Sequence, residues 1–354
     1  MNKMEKMDLK SLTLPEMTQW VIGLGLKPFR AGQIFAWLYR PGFDDFARMT
    51  DIAKHVRALL AEKAAISRLE AVKEERSKDG TVKFAFRLAD GHLIESVLIP
   101  EENRHTLCVS SQVGCAMGCS FCLTGTMGFK RNLTVAEIVG QVDSALLWLQ
   151  RQADAGDGEA SSRINNLVFM GMGEPLLNFD NLIRSIQILM EQRGHDFSGR
   201  RITVSTCGIV PKMKELGEKV PVNLAVSLHA ADDETRDLLM PINRTYPLEE
   251  LLRACREFPL PPRRRIMIEY AMLKGINDSA AAARLLVKKL HGIRCKINIL
   301  PYNENPSFPY RRPDDETIET FRQILRKAGH TTLLRTSRGA DISAACGQLA
   351  GEKE

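Results

Sequence analysis

Residues 105–122 read HTLCVSSQVGCAMGCSFC. The first part is a short apolar run, expected as a strand over 106–111. It breaks into a loop carrying Cys115, Cys119 and Cys122 in the spacing CxxxCxxC. From there on the chain keeps one rhythm. Apolar strands are expected at 166–170, 201–206, 222–228, 265–272 and 295–300, with a further candidate at 331–336. Amphipathic helices are expected near 134–151, 179–193, 232–240, 248–257, 279–290 and 314–327. Strands alternating with helices imply a parallel α/β sheet. Polar and glycine residues gather just after the strands, at Gly171–Glu174, Ser205–Gly208, Ser227–His229 and Pro301–Asn303. Strand ends of this kind form the active face of a (β/α) barrel, and also of an open doubly wound sheet. Six strands make a partial (β/α)6 TIM-like barrel, open on one side.

Three cysteines then need a partner that wants three. A structural zinc ion takes four protein ligands. Cys108 and His105 are the spare candidates, but both lie on or before the strand. A [4Fe–4S] cluster usually takes four thiolates, so three leave one iron open to an external molecule. That is a catalytic arrangement, and it fits the loop better than zinc does.

The rest of the chain frames this core. It has 354 residues, 44% hydrophobic and 26% charged, with net charge +6. No apolar run reaches the roughly 20 residues of a membrane helix, and the start MNKMEKMDLK is no secretory leader, so a cytoplasmic protein is expected. A modest basic excess fits nucleic-acid binding as well as an ordinary solvated surface. Basic clusters lie at Lys130-Arg131, Arg263–Arg265 and Arg311-Arg312. The eight cysteines of a reducing compartment are not a disulfide framework, and Cys255 and Cys295 sit in apolar stretches as core thiols. Three domains are expected. Residues 1–68 form a helical accessory domain, whose Gly23-Leu24-Gly25 turn is a candidate phosphate cradle. Residues 69–100 form an antiparallel β-hairpin linker with Asp-Gly turns at 79–80 and 90–91. Residues 101–354 form the core, with a polar surface insertion at 154–163.

Several side chains could serve a cofactor at the strand ends. Gly171 and Gly173 let backbone approach a ligand, and Glu174 could accept hydrogen bonds from an ammonium group. Ser205, Ser227, His229 and Asn303 could meet ribose, carboxylate or adenine. A lone histidine is as readily a core residue. Near the C-terminus, RTSRGADISAACGQLAG sets Cys346 among small residues. Arg335 and Arg338 would favour its thiolate, and the alternative is a small buried thiol.

The cysteine loop, with Phe121 before its last cysteine, resembles the radical S-adenosylmethionine (SAM) superfamily. Four longer stretches, CVSSQVGCAMGCSFCLTGTMGFKRNL, VFMGMGEPLLN, SLHAADDETRDLLMPINRTYPL and RGADISAACGQL, resemble the RlmN/Cfr family of RNA methyltransferases across essentially the whole chain. The tail and the longer N-terminal region are similar to the RlmN branch. Ser343 departs from an Asp common in the family. The resemblance implies a [4Fe–4S] cluster on Cys115, Cys119 and Cys122, with SAM on the open iron. It implies SAM contacts from Gly173, Glu174, Ser205, Ser227, Leu228, His229 and Asn303. It implies methylation of adenosine C2 in 23S rRNA, at the peptidyl transferase centre, and in tRNA at position 37. Cys346 is methylated first and its methylene reaches the base, Glu95 takes the C2 proton, and Cys108 releases the product through a transient disulfide. An electron donor such as flavodoxin or ferredoxin and a monomeric state are also implied. The alternative within the family is methylation at C8, as in Cfr.

Overall fold

The computed structural model describes residues 6–102, 104–156 and 163–350, so most of the expected insertion at 154–163 lies outside the described residues. Ten strands make one sheet. They are β1 (Ala71–Arg76), β2 (Val82–Arg87), β3 (Leu93–Glu101), β4 (Arg104–Cys108), β5 (Ile164–Phe169), β6 (Ile202–Thr206), β7 (Asn223–Ser227), β8 (Ile266–Met272), β9 (Cys295–Pro301) and β10 (Thr332–Leu334). Each strand pairs with its neighbours in sequence. From β4 to β10 all pairings are parallel, and from β1 to β4 all are antiparallel.

That order decides between the two architectures left open by the sequence. Right-handed crossovers that always step to the next strand keep their helices on one face. The strand order never reverses, so there is no doubly wound switch point. The sheet curls instead into a partial barrel whose loops at the strand ends converge. The hairpin strands extend the barrel sheet: Val97 of β3 stands opposite Cys108 of β4. Their Asp-Gly turns form as expected, with Gly80 and Gly91 at φ 85° and 86°.

The N-terminal unit packs α1 (Leu14–Gly23) on α2 (Phe29–Leu38), followed by α3 (Lys54–Lys63). Thr13 and Glu16 close a capping box on α1, and the Glu16 carboxylate also reaches Arg184 at 3.0 Å. The Gly23-Leu24-Gly25 turn does not present amides to solvent. The N–H groups of Leu24, Gly25 and Leu26 all donate back to carbonyls of α1, which removes the donors a phosphate would need. Behind α1, Lys10 Nζ meets Asp143 Oδ2 at 2.6 Å on the long helix Val135–Asp154. His195 Nε2 lies 3.0 Å from the other Asp143 oxygen, out of line for a good hydrogen bond. This charged lock joins the N-terminal unit to the barrel. Two helices went unforeseen, the short Leu123–Thr126 directly after Cys122 and Val210–Lys219 after β6.

Candidate active site

A cavity opens where the parallel strands end. Cys115, Cys119 and Cys122 line it with Glu174, Ser205, Ser227 and His229, and Asn303, Arg335 and Cys346 complete the lining, with Gly347 packed beside Cys122. Burial pushes all three thiols up, neighbouring loop thiols add to this at Cys115 and Cys119, and Cys346 adds to it at Cys122, as expected for ligands that need a cation to ionise. Among the described residues no three His, Cys, Asp or Glu side chains converge on a single ion. A cluster whose separate irons each take one thiolate does not need that convergence, and the cavity the thiols line has room for a further ligand.

The glycines of the Gly171–Glu174 loop have a packing role that the sequence reading did not anticipate. A Cβ on Gly171 would meet Ser110 atoms at 2.6–2.8 Å, and one on Gly173 would meet Gln112 at 2.4 Å. Gly173 also sits at φ 94°. The loop is therefore pressed onto the segment leading from β4 to the cysteines. Gln112 Oε1 accepts the Glu174 N–H at 2.8 Å, fixing the carboxylate in the cavity. Glu174 itself is buried, which raises its carboxyl, while N–H donation from Cys207 (2.8 Å) opposes this.

His229 is held by unusual means. Its backbone is left-handed at φ 57°, a strained conformation for a non-glycine residue. Its Nδ1 accepts the Ala271 N–H at 2.9 Å, so the proton is assigned to Nε2. Burial pushes the imidazole down to about 3, leaving it neutral. Leu228, in contrast, does not line the cavity. Its side chain is fully buried, and its carbonyl accepts from Arg236 Nε at 3.2 Å. Arg236, which the sequence did not single out, is fully buried and also donates to the Cys207 carbonyl at 2.7 Å, tying two loops together.

The C-terminal tail closes the site. The Gly339 N–H donates to Asp79 (2.9 Å), and Asp341 accepts from the Ser77 hydroxyl (2.5 Å) and the Lys78 N–H (3.2 Å). On the other side of Cys346, the Gly347 and Leu349 carbonyls accept from the Leu123 N–H (2.8 Å) and the Thr124 hydroxyl (2.6 Å). Between these anchors Cys346 is exposed, and Asn303 Nδ2 donates to its carbonyl at 3.3 Å. The buried Cys108 thiol lies behind it, pushed up to about 12 by burial and by Cys346, with Arg335 opposing. Glu95 is buried but does not line the cavity. Its carboxylate accepts the Ala350 N–H at 2.9 Å and faces Lys83 at 3.3 Å.

The basic clusters divide. Arg263–Arg265 precede β8, at the end of the barrel opposite the cavity. Arg131 is spent on Asp90 (2.5 Å) and, through two bonds, on Glu137. Lys130 and Arg311 remain exposed.

Residues 7–66 match the family described as Ribosomal RNA large subunit methyltransferase N-terminal domain, and residues 109–286 match the Radical SAM superfamily. Relatives named dual-specificity RNA methyltransferase RlmN include one from Desulfotalea psychrophila, 57% identical over 99% of this chain and 96% of its own length. Another, from Syntrophobacter fumaroxidans, is 52% identical over 99% of both chains. A solved radical SAM methyltransferase from Sphaerobacter thermophilus is 46% identical over 98% of this chain and 100% of that one, with a TM-score of 0.89.

Proposed function

Because the chain belongs to the RlmN family of radical SAM RNA methyltransferases, we propose that it methylates C2 of adenosine in 23S rRNA and in tRNA at position 37. The observation that carries this reading is the exposed Cys346 of the tail with the buried Cys108 behind it. Cys108 and Cys346 come from opposite ends of the core, yet each lies within the other's electrostatic reach beside Arg335.

C2 of adenine is not nucleophilic, so a methyl group cannot simply be handed to it. A [4Fe–4S] cluster on Cys115, Cys119 and Cys122, with SAM, supplies a 5′-deoxyadenosyl radical when bound. The chain's residues do the rest. Gly173 and Glu174 hold the amino end of SAM, and Ser205, Ser227, the Leu228 backbone, His229 and Asn303 hold its ribose, adenine and carboxylate. Cys346 carries the methyl group to the base, and its exposure between two anchors suits a thiol that meets several partners. Glu95 takes the C2 proton, for which the Ala350 amide has to yield its place on the carboxylate. Cys108 then attacks the Cys346 sulfur, which frees the methylated base and leaves a disulfide to be reduced. The exposed Lys130 and Arg311 suit an RNA backbone. A flavodoxin- or ferredoxin-like donor, a monomer and a cytoplasmic location complete the reading. Among the described residues no helix is long and apolar enough to cross a membrane. The C8 alternative has no support among these relatives.

The test is anaerobic reconstitution with SAM, reductant and unmodified RNA, followed by nucleoside analysis. 2-Methyladenosine should appear together with 5′-deoxyadenosine. 8-Methyladenosine in its place would overturn the C2 assignment.

A further inference from the structure

Two buried polar atoms on the cavity wall lack a hydrogen-bond partner among the described residues and have no task in the cofactor reading, the Tyr302 hydroxyl and one carboxylate oxygen of Glu269. Glu269 points inward from β8, in register with Ser227 of β7 and Asn298 of β9. It is 5% exposed. Its Oε2 accepts from Asn298 Nδ2 at 2.8 Å, while its buried Oε1 has no hydrogen-bond partner among the described residues. Leaving a buried acceptor unmade is costly, so an orphaned oxygen on a cavity wall marks where a ligand brings a donor.

The charges around the cavity say which ligand. Cys115, Cys119, Glu174, Cys207 and Arg236 act on one another at the cysteine-loop end. Glu269 instead faces Arg335 and Lys296, and Arg335 faces Cys346, Glu269 and Cys108. Arg335 and Cys346 also line a small side cavity behind the tail. Glu269 therefore shares Arg335 with Cys346, beside which the base must lie, and the same tail cysteine also acts on Cys122 of the cysteine loop.

We propose that Glu269 and Arg335 read the target base, Glu269 Oε1 accepting from the exocyclic amine of adenine and the Arg335 guanidinium donating to a ring nitrogen. This rests on the adenosine-methylation reading and adds a specificity device to it. Hypoxanthine and guanine present a carbonyl oxygen where adenine has its amine, and a carboxylate repels it. A purine without that amine leaves Oε1 unpaired. Sites built to hydrogen-bond a substrate group reject analogues lacking it far more strongly than apolar pockets do.

The test uses the reconstituted full chain and RNA carrying adenosine, inosine or purine riboside at the target position. The wild type should prefer adenosine by about 100-fold in kcat/KM over either analogue. Glu269→Gln can turn its amide toward a carbonyl, so its preference for adenosine over inosine should shrink to below about tenfold. Its SAM affinity and its RNA-independent 5′-deoxyadenosine formation should stay as in the wild type. The wild-type comparison needs no variant and stands even if the variant misfolds. Equal use of all three RNAs by the wild type overturns the proposal. So does a Glu269→Gln enzyme that binds SAM weakly and keeps its base preference, because Glu269 would then face the cofactor. A wild type that methylates no RNA, adenosine included, removes the methyltransferase reading beneath it.

Discussion

Gly173 shows how tightly a single position is bound to the site. Adding one methyl there strains a left-handed backbone and drives it into Gln112, the residue that fixes the Glu174 N–H. Gly173→Ala should cost about 2–4 kcal/mol of stability. It should also weaken SAM binding more than tenfold, measurable by calorimetry; unchanged SAM affinity would separate the loop from the cofactor. Cys108 makes a second residue-scale prediction. It attacks as thiolate, and burial holds its thiol near 12. Product release should therefore accelerate with pH, roughly tenfold per unit between pH 7 and 9, followed by the decay of the protein–RNA adduct. Cys108→Ala should trap that adduct, and free product without it would end the resolving role. At this scale the sequence was most legible where chemistry is local. CxxxCxxC declares itself within eight residues. Glu269 does not, although a lone acid inside the apolar run IMIEYAM was a usable signal. Its meaning depends on Asn298 and Arg335, which only the barrel brings near.

The strands of the ten-stranded sheet and most helices follow the alternation read from the sequence, within a few residues at each end, whereas the small pairings of Met7–Asp8 with Ala64–Ala65 and of Gln112–Gly114 with Phe129–Asn132 were not read. The longer of the unread helices, Val210–Lys219, contains Pro211 and Gly217, which argue against a helix when read alone. Pro211 falls in the first turn, where no amide partner is needed, and Gly217 fits beneath Pro259 and Phe258. The tail was legible as chemistry and not as architecture. Its anchors join Asp341 to Ser77 and Gly347 to Leu123, contacts that no local pattern encodes. Asp341→Asn keeps the shape but weakens two charge-assisted bonds to the first hairpin turn. It should raise amide exchange over residues 339–350 and increase the 5′-deoxyadenosine formed per methyl group transferred. Exchange that rises while coupling holds would show that the anchor does not position Cys346.

Over the whole molecule, the N-terminal unit is held by charge as well as by its apolar core. Burial alone would raise the Asp143 carboxyl, but Lys10 and His195 hold it at about 2. A carboxyl depressed in the folded state stabilises above its unfolded value near 4, and that contribution disappears as pH falls from about 4 to 2. Asp143→Ala leaves Lys10 buried without its partner and should destabilise the protein by about 3–5 kcal/mol. The deficit should be largest at neutral pH and shrink toward pH 2 in denaturant titrations; a pH-independent deficit would mean packing, not charge, is lost. The parallel α/β class was readable from rhythm alone, whereas this lock was not, since Lys10 and His195 lie far from Asp143 in sequence. The tail across the mouth also imposes an order of events during synthesis. The cysteine loop leaves the ribosome well before residues 339–350. At roughly 5–20 residues per second that interval is of the order of tens of seconds. Until the tail arrives the three thiols stand open on a half-finished barrel, which is the natural window for iron and sulfide delivery. A nascent chain stalled before residue 339 should accept a cluster faster than the finished protein does.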